Sequence, residues 1–529
     1  MKRWALLAAV FVLLLSGQPA AFAQGYVPIS GSGSTWSFNA VDQWRKNVEQ
    51  YGMRINFAAN GSSAGRNDFK AGQVDFAVSE IPYGLTDGGV KDVEPTRGFA
   101  YMPIVAGGTA FMYNLKIGNT QVTNLRLSGQ TITAIFTGAI TNWADPAIKA
   151  DNPGLNLPAR KIIPVVRSDG SGTTAQFTTY MANQYPGMWD AFCRRAGRAT
   201  PCGFTSNYPP AAPVIGQSGS LGVTNYVRQP QSEGSITYVE YSYARNSGFP
   251  VAKMLNKAGY YIEPTAPSVA VALLAAHIRS DLTQDLGDVY VNGDPRTYPL
   301  SSYSYMILPT GTESPFTVEK GRTLSDFAYY FLCEGQQQAD RLGYSPLPIN
   351  LVRAGLDQVA RIPGSTKKPT DINKCNNPTL SPDGGNALAN SAPFPSACDK
   401  IGVTQCAEGT GGAKRPTPTS NTSAANNGGP GGPAGASSTS DGANGAGADS
   451  ANPSDNPAVD AGGDVAIDPD TGQPVNARGG SSGALAQPVS LGLQDNTTTA
   501  LLASLAVVLF LGLIVGPPIL ARVLRKEDR

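Results

Sequence analysis

The chain has 529 residues, a formal net charge of +1, 15% charged residues, six cysteines and a single histidine. That histidine, His277, would have to be the base of any Ser-His-Asp or Cys-His triad, and a zinc site with several histidines is excluded. The balanced charge and the lack of a basic run in the globular part argue against nucleic acid as a ligand. We therefore expect a protein that is not an enzyme and uses no cofactor.

The N-terminus has the pattern of a secretory signal peptide. Lys2 and Arg3 precede an apolar run, Ala5 to Leu15, and Ala21-Phe22-Ala23 forms a small-x-small cleavage site before Gln24. The run is too short to span a bilayer comfortably, which argues against a membrane anchor. We expect removal of residues 1–23 and, because no cysteine lies at the cleavage site, no lipid anchor there.

Three stretches rich in glycine and hydroxyl side chains each lie between a predicted strand and a predicted helix. They are residues 30–36, 60–65 and 167–174. A helix that begins at such a turn offers unpaired backbone N–H groups and the positive end of its dipole, an arrangement that binds anions. One turn alone is better explained as an ordinary capped helix. The three together predict a site for one small oxyanion.

The third stretch, Arg-Ser-Asp-Gly-Ser-Gly-Thr-Thr, carries the strongest signal. Arg167 can supply a planar, forked cation, and Asp169 is close enough in sequence to hold the guanidinium in place. Hydroxyl donors come from Ser171, Thr173 and Thr174. The chemistry of this turn suits an anion with several oxygen atoms.

The chain resembles a known family through a series of motifs that run in order from about Ile29 to Gly364. The family is that of the phosphate-binding proteins of high-affinity bacterial phosphate ABC importers. The motifs are GSGSTW, NGSSAG, VDFAVSEIP, IFTGAITNW, NPGLNLP, VVRSDGSGTT, GSITYVEYSYA and YPLSSYSYMIL. The resemblance covers roughly two-thirds of the chain.

The resemblance implies a set of phosphate-binding residues. Thr35 and the backbone of Trp36 would bind phosphate from the first turn, and Ser62 from the second. Arg167 would form the charged contact, steadied by Asp169. The third turn would add donors from Ser171, Gly172 and Thr173.

Glu80 departs from the family pattern, which usually has aspartate at this position. A carboxylate can accept a hydrogen bond from protonated phosphate, whereas it repels sulfate, which carries no proton. Glu80 keeps that chemistry and adds one methylene. Three alternatives stay open: the side chain reaches the same proton through a shifted backbone, weakens binding, or swings out into a salt bridge. The alternative without a binding role is a solvated carboxylate on the surface. The apolar strand predicted from Val74 to Val78 argues against it, because such a strand is expected to be buried.

The resemblance also implies a two-lobed α/β periplasmic-binding-protein fold with a hinge. Lobe one would comprise residues 24–104 and 300–364, and lobe two residues 105–299. Phosphate would lie in the cleft between the lobes, which close by bending near Val105 and Leu300. The strand and helix patterns alone support only an α/β protein with several strand-helix units.

The six cysteines indicate an oxidising compartment. Cys193 and Cys202, nine residues apart around a basic loop, form the preferred disulfide pair. Three cysteines follow the globular core, so one of them can pair with Cys333 and tie the extension, residues 365–408, to the core. The pairing of Cys375, Cys398 and Cys406 stays open, and a cysteine metal site is disfavoured because no two cysteines are separated by two residues.

The remainder of the chain is predicted to tether the globular part of the protein to a membrane. Residues 409–496 are dominated by Gly, Ala, Ser, Asn and Pro without an aromatic residue, which predicts a disordered linker. Residues 497–521 contain a charge-free run, Ala500 to Leu520, that as a helix would match a bilayer core of about 30 Å. The basic tail, residues 522–529, favours a cytoplasmic end. Pro517-Pro518 leaves the inner boundary of this transmembrane helix open.

The sequence therefore predicts an extracytoplasmic, membrane-tethered, monomeric protein that captures inorganic phosphate and delivers it to an ABC permease. The alternative is a surface sensor, adhesin or cell-wall interaction module that reuses the fold with altered or lost phosphate binding. The chemistry of the cleft discriminates between the two hypotheses.

Overall fold

The computed structural model describes residues 25–211, 213–366, 375–381 and 385–419. The predicted signal peptide, most of the linker, the transmembrane helix and the basic tail lie outside the described residues. Within the described ranges, no helix combines the length and the apolar character needed to span a bilayer.

Seventeen strands are present in the described residues, eleven of them in one mixed sheet. They are β1 (Ile29–Gly33), β2 (Ile55–Ala58), β3 (Phe76–Ser79), β4 (Thr86–Asp87), β5 (Val90–Lys91), β6 (Phe99–Tyr113), β7 (Lys116–Ile117), β8 (Thr120–Gln121), β9 (Arg126–Leu127), β10 (Ile163–Arg167), β11 (Ile215–Gln217), β12 (Ser235–Glu240), β13 (Val251–Leu255), β14 (Tyr261–Ile262), β15 (His277–Ile278), β16 (Gln284–Asp285) and β17 (Ser301–Pro309).

Fourteen α-helices are present in the described residues. They are α1 (Phe38–Glu49), α2 (Ser62–Lys70), α3 (Gly129–Phe136), α4 (Pro146–Asp151), α5 (Gly172–Gln184), α6 (Pro186–Arg195), α7 (Gly219–Arg228), α8 (Tyr241–Asn246), α9 (Ala266–Ala272), α10 (Gly287–Tyr290), α11 (Val318–Leu332), α12 (Ala339–Leu342), α13 (Ile349–Val359) and α14 (Ala387–Asn390).

The strand order divides the sheet into two lobes. Lobe one contains β2, β1 and β3 as parallel neighbours, followed by antiparallel β17. Lobe two contains β12, β10 and β11, also parallel, with β13, β14 and β9 attached beside them. Parallel strands run in the same direction, so their carboxyl ends, and the turns that follow, meet at one edge of each lobe.

Strand β6 belongs to both lobes and joins them. Its residues 99–108 pair with β17, and residues 109–113 pair with β12. Fourteen of its fifteen residues are buried, as expected for a strand covered on both faces. The crossing at Gly108 and Thr109 lies close to the predicted bending points, Val105 and Leu300.

An aromatic cluster in lobe two fixes the position of α5. Phe177 of that helix lies 5.3 Å from Phe111 of β6 and 5.0 Å from Tyr238 of β12, measured between ring centroids. The Tyr238 hydroxyl contacts Thr174 Oγ1 at 2.8 Å and accepts a hydrogen bond from the Arg167 N–H at 3.2 Å. Core packing therefore sets the place of the turn that precedes the helix.

The chain after the core forms a segment that we call the strap, residues 375–381 and 385–419. On lobe one, Cys375 is disulfide-bonded to Cys333. Helix α14 packs on α9, which lies against β6 and β17. On lobe two, Asp399 forms an ion pair with Lys253 at 2.7 Å. The strap therefore contacts both lobes.

The end of the strap differs from the predicted linker boundary at residue 409. Thr410 and Thr417 are buried, and Thr417 Oγ1 accepts a hydrogen bond from the Thr123 N–H at 2.8 Å. Thr410 Oγ1 donates to the Val251 carbonyl oxygen at 2.5 Å. These hydrogen bonds hold both threonines on lobe two, so residues 409–419 pack on the globular part of the protein.

The cysteines form three disulfides. Cys193–Cys202 is the predicted pair, and Cys333–Cys375 is the predicted link between the core and the extension. The third pair, Cys398–Cys406, closes a short loop within the strap. The carbonyl oxygen of Cys406 accepts a hydrogen bond from the Asn124 side chain at 2.8 Å, which fixes this loop on lobe two.

Removing the Cys333–Cys375 bond, by replacing both cysteines with serine, is expected to cost more stability than removing Cys398–Cys406 in the same way. The bonds span 42 and 8 residues. Loop-closure entropy then gives losses of about 4 and about 2.5 kcal/mol in the free energy of unfolding. Urea unfolding of the two double variants beside the wild type measures both values. An equal loss in both would contradict the ordering.

The chain changes from helix to strand just before His277. The alanine- and leucine-rich stretch from Val269 to Ile278 is helical only to Ala272, continues as a 3-10 turn to Ala275, and then extends into β15. His277 pairs with Asp288 at 2.6 Å, and its side chain is mostly exposed. The chain leaves the helix because β15 pairs with β16.

Candidate functional site

The three predicted turns lie together where the two lobes meet. Gly33 to Trp36 follow β1, residues 60–62 lead into α2, and residues 168–173 connect β10 to α5. A fourth turn, residues 218–220, connects β11 to α7 in the same way. Four strand-to-helix turns thus surround one polar site, which we call the cradle.

Hydrogen bonds connect the lobes directly across the cradle. The Gly172 N–H of lobe two donates to Ser62 Oγ of lobe one at 3.1 Å. Thr35 Oγ1 of lobe one lies 2.8 Å from Ser220 Oγ of lobe two. The Ser63 N–H donates to the Gly170 carbonyl oxygen at 3.1 Å. The structure therefore shows the lobes in contact around the site.

Glu80 follows β3 and is buried beneath the cradle, with 1% of its surface exposed. Its Oε1 accepts hydrogen bonds from Ser34 Oγ at 2.6 Å and from Ser304 Oγ at 2.7 Å. Its Oε2 accepts one from Ser62 Oγ at 2.7 Å. Among the described residues Glu80 forms no ion pair, so the salt-bridge alternative is not the arrangement observed.

Gly172 allows the Glu80 carboxylate to approach the start of α5. A Cβ atom at Gly172 would lie 1.9 Å from Glu80 Oε2 and 2.5 Å from Ser62 Oγ, much closer than van der Waals contact. Any other residue at position 172 would displace either side chain. The close approach also places the carboxylate beside two groups that were predicted to bind phosphate, Ser62 and the Gly172 N–H.

Arg167 supplies a buried cation on the lobe-two side of the cradle. Its Nε donates to Asp169 Oδ1 at 2.7 Å, and its Nη2 bonds the other carboxylate oxygen. Its Nη1 donates to Ser220 Oγ at 3.3 Å and, more weakly, to Thr173 Oγ1 at 3.5 Å. Asp169 therefore orients the guanidinium, and Nη1 faces the hydroxyls of the cradle.

Asp169 stays ionised because of this pairing. Burial by itself raises the pKa of Asp169, but the hydrogen bonds and the positive charge of Arg167 outweigh burial and lower it. The Gly219 N–H also donates to Asp169 Oδ1 at 2.9 Å. The fourth turn is thereby attached to the third.

The helix that follows the third turn is capped from within the turn. Ser171 Oγ accepts a hydrogen bond from the Thr174 N–H at 3.2 Å, and the Gly172 N–H is bonded to Ser62. In the described structure this leaves the Thr173 N–H, in the first turn of α5, without a protein acceptor. Ser171 thus serves as a helix cap, while Thr173 offers both its N–H and its hydroxyl.

The first turn is held mainly through its backbone. The Trp36 N–H donates to Ser34 Oγ at 3.0 Å, and the Thr35 carbonyl oxygen accepts a hydrogen bond from the Tyr243 hydroxyl at 2.5 Å. The Trp36 carbonyl oxygen accepts one from the Tyr344 hydroxyl at 2.7 Å. These contacts fix Thr35 and Trp36 beside the cradle.

The nine predicted residues therefore lie in one site, and their contacts with a ligand stay a prediction. Ser34, Ser220 and Ser304 also lie at the site, and no role was predicted for them. Ser220 could have been predicted from the sequence, because Ser218-Gly219-Ser220 repeats the glycine and hydroxyl pattern between a strand and a helix. Among the described residues, no group of three or more His, Cys, Asp or Glu side chains is placed to hold a metal ion.

Glu80 is expected to make the stability of the ligand-free protein depend on pH. Burial raises the pKa of Glu80 above its usual 4.5, although the bonds from Ser34, Ser62 and Ser304 oppose this shift. A raised folded-state pKa gives stability that is present below the unfolded pKa and is lost as pH rises through the folded pKa. As pH rises from about 4.5, Glu80→Gln should therefore gain stability relative to the wild type.

Urea unfolding of both proteins at a series of pH values, without phosphate, checks this prediction. The quantity to follow is the difference in the free energy of unfolding between Glu80→Gln and the wild type. A difference that stays constant with pH would show that Glu80 titrates as it does in the unfolded chain.

Comparison with known proteins identifies the family of the chain. The sequence matches the profile of the PBP superfamily domain over residues 16–334. The phosphate-binding protein PstS of Xylella fastidiosa strain Temecula1 is 33% identical over 338 residues, which cover 63% of this chain and 85% of that protein. The phosphate-binding protein PstS 3 of Mycobacterium tuberculosis strain H37Rv is 30% identical over 331 residues, or 61% of this chain and 84% of that protein.

A search of solved structures also found matches. The phosphate-binding protein from Stenotrophomonas maltophilia matches with a TM-score of 0.45 and 17% identity, over 68% of this chain and 99% of that chain. The two sequence relatives are binding proteins, which confirms the prediction of a protein that is not an enzyme. The profile spans more than half of the chain and the relatives are matched over most of their length, so the chain belongs to the PBP superfamily, within the family of phosphate-binding substrate-binding proteins.

Proposed function

We propose that this protein captures inorganic phosphate in the cradle between its two lobes for import by an ABC transporter. The observation that supports this most directly is the convergence of Arg167 with four hydroxyl-rich strand-to-helix turns on a buried carboxylate. Family membership supports the same ligand, since the relatives are named as phosphate-binding proteins.

The proposed phosphate contacts come from both lobes. Lobe one contributes Thr35, the Trp36 N–H and Ser62. Lobe two contributes Arg167, held by Asp169, and donors from Ser171, Gly172 and Thr173. The donors stabilise the negative charge of the anion, and Glu80 accepts a hydrogen bond from its protonated oxygen.

The proton that phosphate carries is the basis of the proposed selectivity of the site for phosphate over sulfate. Phosphate near neutral pH carries at least one hydrogen that can donate to Glu80, whereas sulfate presents only acceptor oxygens. A buried carboxylate then repels sulfate, and the surrounding donors cannot offset that repulsion. We propose Glu80 as the residue that separates the two anions.

We also propose that the binding domain is extracytoplasmic, anchored in the membrane, and partnered by an ABC permease. Three disulfides support an extracytoplasmic site for the binding domain. The charge-free run in residues 497–521, with its basic flank, supports a single-span membrane anchor, and the family supports an ABC permease as the partner. We propose a monomer.

A second candidate function is a surface sensor or adhesion module with altered phosphate binding. One observation favours it: Glu80 and Gly172 already bond Ser62, so phosphate must rearrange a satisfied hydrogen-bond network. This candidate predicts a folded protein that binds phosphate weakly or not at all.

Calorimetric titration of the purified full-length protein in detergent, first with phosphate and then with sulfate, separates the two candidates. The transport function predicts micromolar or tighter phosphate binding and no heat from sulfate. A folded protein, shown to be free of bound phosphate, that gives no heat at millimolar phosphate would reject it. In that case the search turns to surface partners.

A further inference from the structure

A second polar site lies beneath the cradle, on the central sheet. Glu240 at the end of β12 is opposite Thr109 of β6, and Ser302 of β17 is opposite Gly107 of β6. Opposite residues of paired strands, and alternate residues of one strand, face the same side of a sheet. Thr109, Glu240 and Ser302 therefore share one face, together with Ser304, which bonds Glu80.

Trp36 covers this face. A Cβ atom at Gly107 would lie 2.8 Å from Trp36 Cη2 and 3.2 Å from Glu240 Oε1. The indole ring and the carboxylate therefore meet over the bare backbone of Gly107. The group of polar side chains formed by Trp36, Thr109, Glu240 and Ser302 is what we call the chamber.

Four polar atoms of the chamber have no hydrogen bond of ordinary geometry in the described structure, although the Tyr344 hydroxyl, which donates to the Trp36 carbonyl oxygen, also lies near the Glu240 carboxyl group. They are Glu240 Oε1, Thr109 Oγ1, Ser302 Oγ and Trp36 Nε1. All four residues are at most 2% exposed. Buried polar groups are nearly always bonded to protein or to ordered water, and leaving one unsatisfied is costly. Four such atoms on one face of the sheet indicate an occupant.

The chemistry of the four atoms selects that occupant. The Trp36 indole N–H only donates, a carboxylate oxygen accepts, and the two hydroxyls do either. A metal ion or ammonium ion cannot accept the indole hydrogen bond. Burial raises the pKa of Glu240 well above its ordinary value, so its carboxyl group can face the occupant either as an acceptor or as a donor. A water molecule both accepts and donates, and internal waters usually have two to four polar partners.

We propose that the chamber binds an ordered water molecule that accepts from the Trp36 indole and donates to Glu240, with Thr109 or Ser302 as a third partner. Trp36 and Ser302 belong to lobe one, while Thr109 and Glu240 belong to lobe two. The water therefore connects the lobes at the point where β6 passes from one to the other.

If phosphate binds as proposed above, the same water supports the first turn of the cradle. Glu240 Oε2 caps α8 through the Ser242 N–H at 2.8 Å, and the next residue, Tyr243, bonds the Thr35 carbonyl oxygen. Glu240 thus acts on Thr35 through α8 and on Trp36 through the water. We assign Glu240 as a positioning residue for that turn.

The test is a crystal structure of the purified, ligand-free chain at a resolution that shows ordered water. We expect density in the chamber at about 2.6–3.2 Å from Trp36 Nε1, Glu240 Oε1 and at least one hydroxyl. A direct hydrogen bond between Trp36 and Glu240, or a cation about 2.4 Å from the carboxylate, would overturn the proposal. This readout does not depend on phosphate binding.

Two variants test the positioning role. Glu240→Gln keeps a side-chain oxygen and should keep the water, with phosphate affinity within about threefold of the wild type. Glu240→Leu should lose the water and weaken phosphate binding at least tenfold. Ser235→Ala is the control, because Ser235 carries another buried, unpartnered hydroxyl on β12 but faces the opposite side of the sheet.

If Glu240→Leu fails to fold, the Thr109→Val variant and the electron density of the wild type still test whether the chamber holds a water molecule. We expect the valine variant to fold and to retain the water on its three other partners. Equal phosphate affinities in folded Glu240→Leu and Glu240→Gln would overturn the positioning role. Loss of phosphate binding in the wild type itself would instead reject the proposed function.

Discussion

Replacing Arg167 with alanine is expected to remove most or all phosphate binding. Arg167 is 3% exposed, and its guanidinium is oriented by Asp169 and directs Nη1 at the hydroxyls of the cradle. Truncating one partner of a buried charged pair typically costs about 2–5 kcal/mol, or roughly 30-fold to several thousand-fold in affinity. The alanine variant also leaves Asp169 without its partner, so an uncompensated negative charge faces the arriving anion.

Calorimetric titration of full-length Arg167→Ala with phosphate measures the loss. Arg160→Ala is a matched control, because Arg160 also lies on lobe two but is half exposed and pairs with Glu233 at 3.0 Å. Arg167→Lys should fall between alanine and wild type, since it keeps the charge without the planar fork. An Arg167→Ala affinity within threefold of the wild type would show that the anion binds elsewhere.

Replacing Glu80 with glutamine is expected to weaken phosphate binding and to admit sulfate. The amide no longer repels an unprotonated oxyanion, and its NH₂ group can donate to one. A charge-assisted hydrogen bond is worth about 1.5–3 kcal/mol, so phosphate affinity should fall about 10- to 150-fold. The diagnostic result is a sulfate signal in the variant where the wild type has none.

Titration of Glu80→Gln with each anion, with Glu49→Gln as an exposed control on α1, checks this expectation. Glu80→Asp adds a second comparison, because aspartate keeps the acceptor but is shorter by one methylene and cannot reach Ser34, Ser62 and Ser304 at once. We expect Glu80→Asp to reject sulfate as the wild type does. Sulfate binding by the wild type would remove the selectivity role from Glu80.

The sequence predicted the turns because their chemistry is local. Glycine and hydroxyl residues between an apolar run and a helical pattern leave few structural alternatives, and β10, α5 and α2 form close to the expected positions. The Arg167–Asp169 pair was predictable for the same reason, since its two members are two residues apart. The fourth turn, at Ser220, repeats the pattern and was overlooked.

The environment of Glu80 was not predictable in this way. Its three hydroxyl partners come from residues 34, 62 and 304, and only the sheet brings them together, through the pairing of β3 with β1 and β17. The composition of residues 409–419 predicted the start of a disordered linker, and the structure differs for a related reason. A segment without aromatic residues buries little apolar surface, but Thr410 and Thr417 are held by hydrogen bonds whose partners lie far away in the sequence.

The strap determines where a mechanical load enters the molecule. The described chain ends at Thr419 on lobe two, where buried hydrogen bonds and the Lys253–Asp399 ion pair hold it. Force applied to the chain beyond Thr419 therefore acts first on lobe two, and within the strap the disulfide at Cys375 carries it on to lobe one. If the protein is tethered at its C-terminus, as proposed, the tether therefore attaches to lobe two.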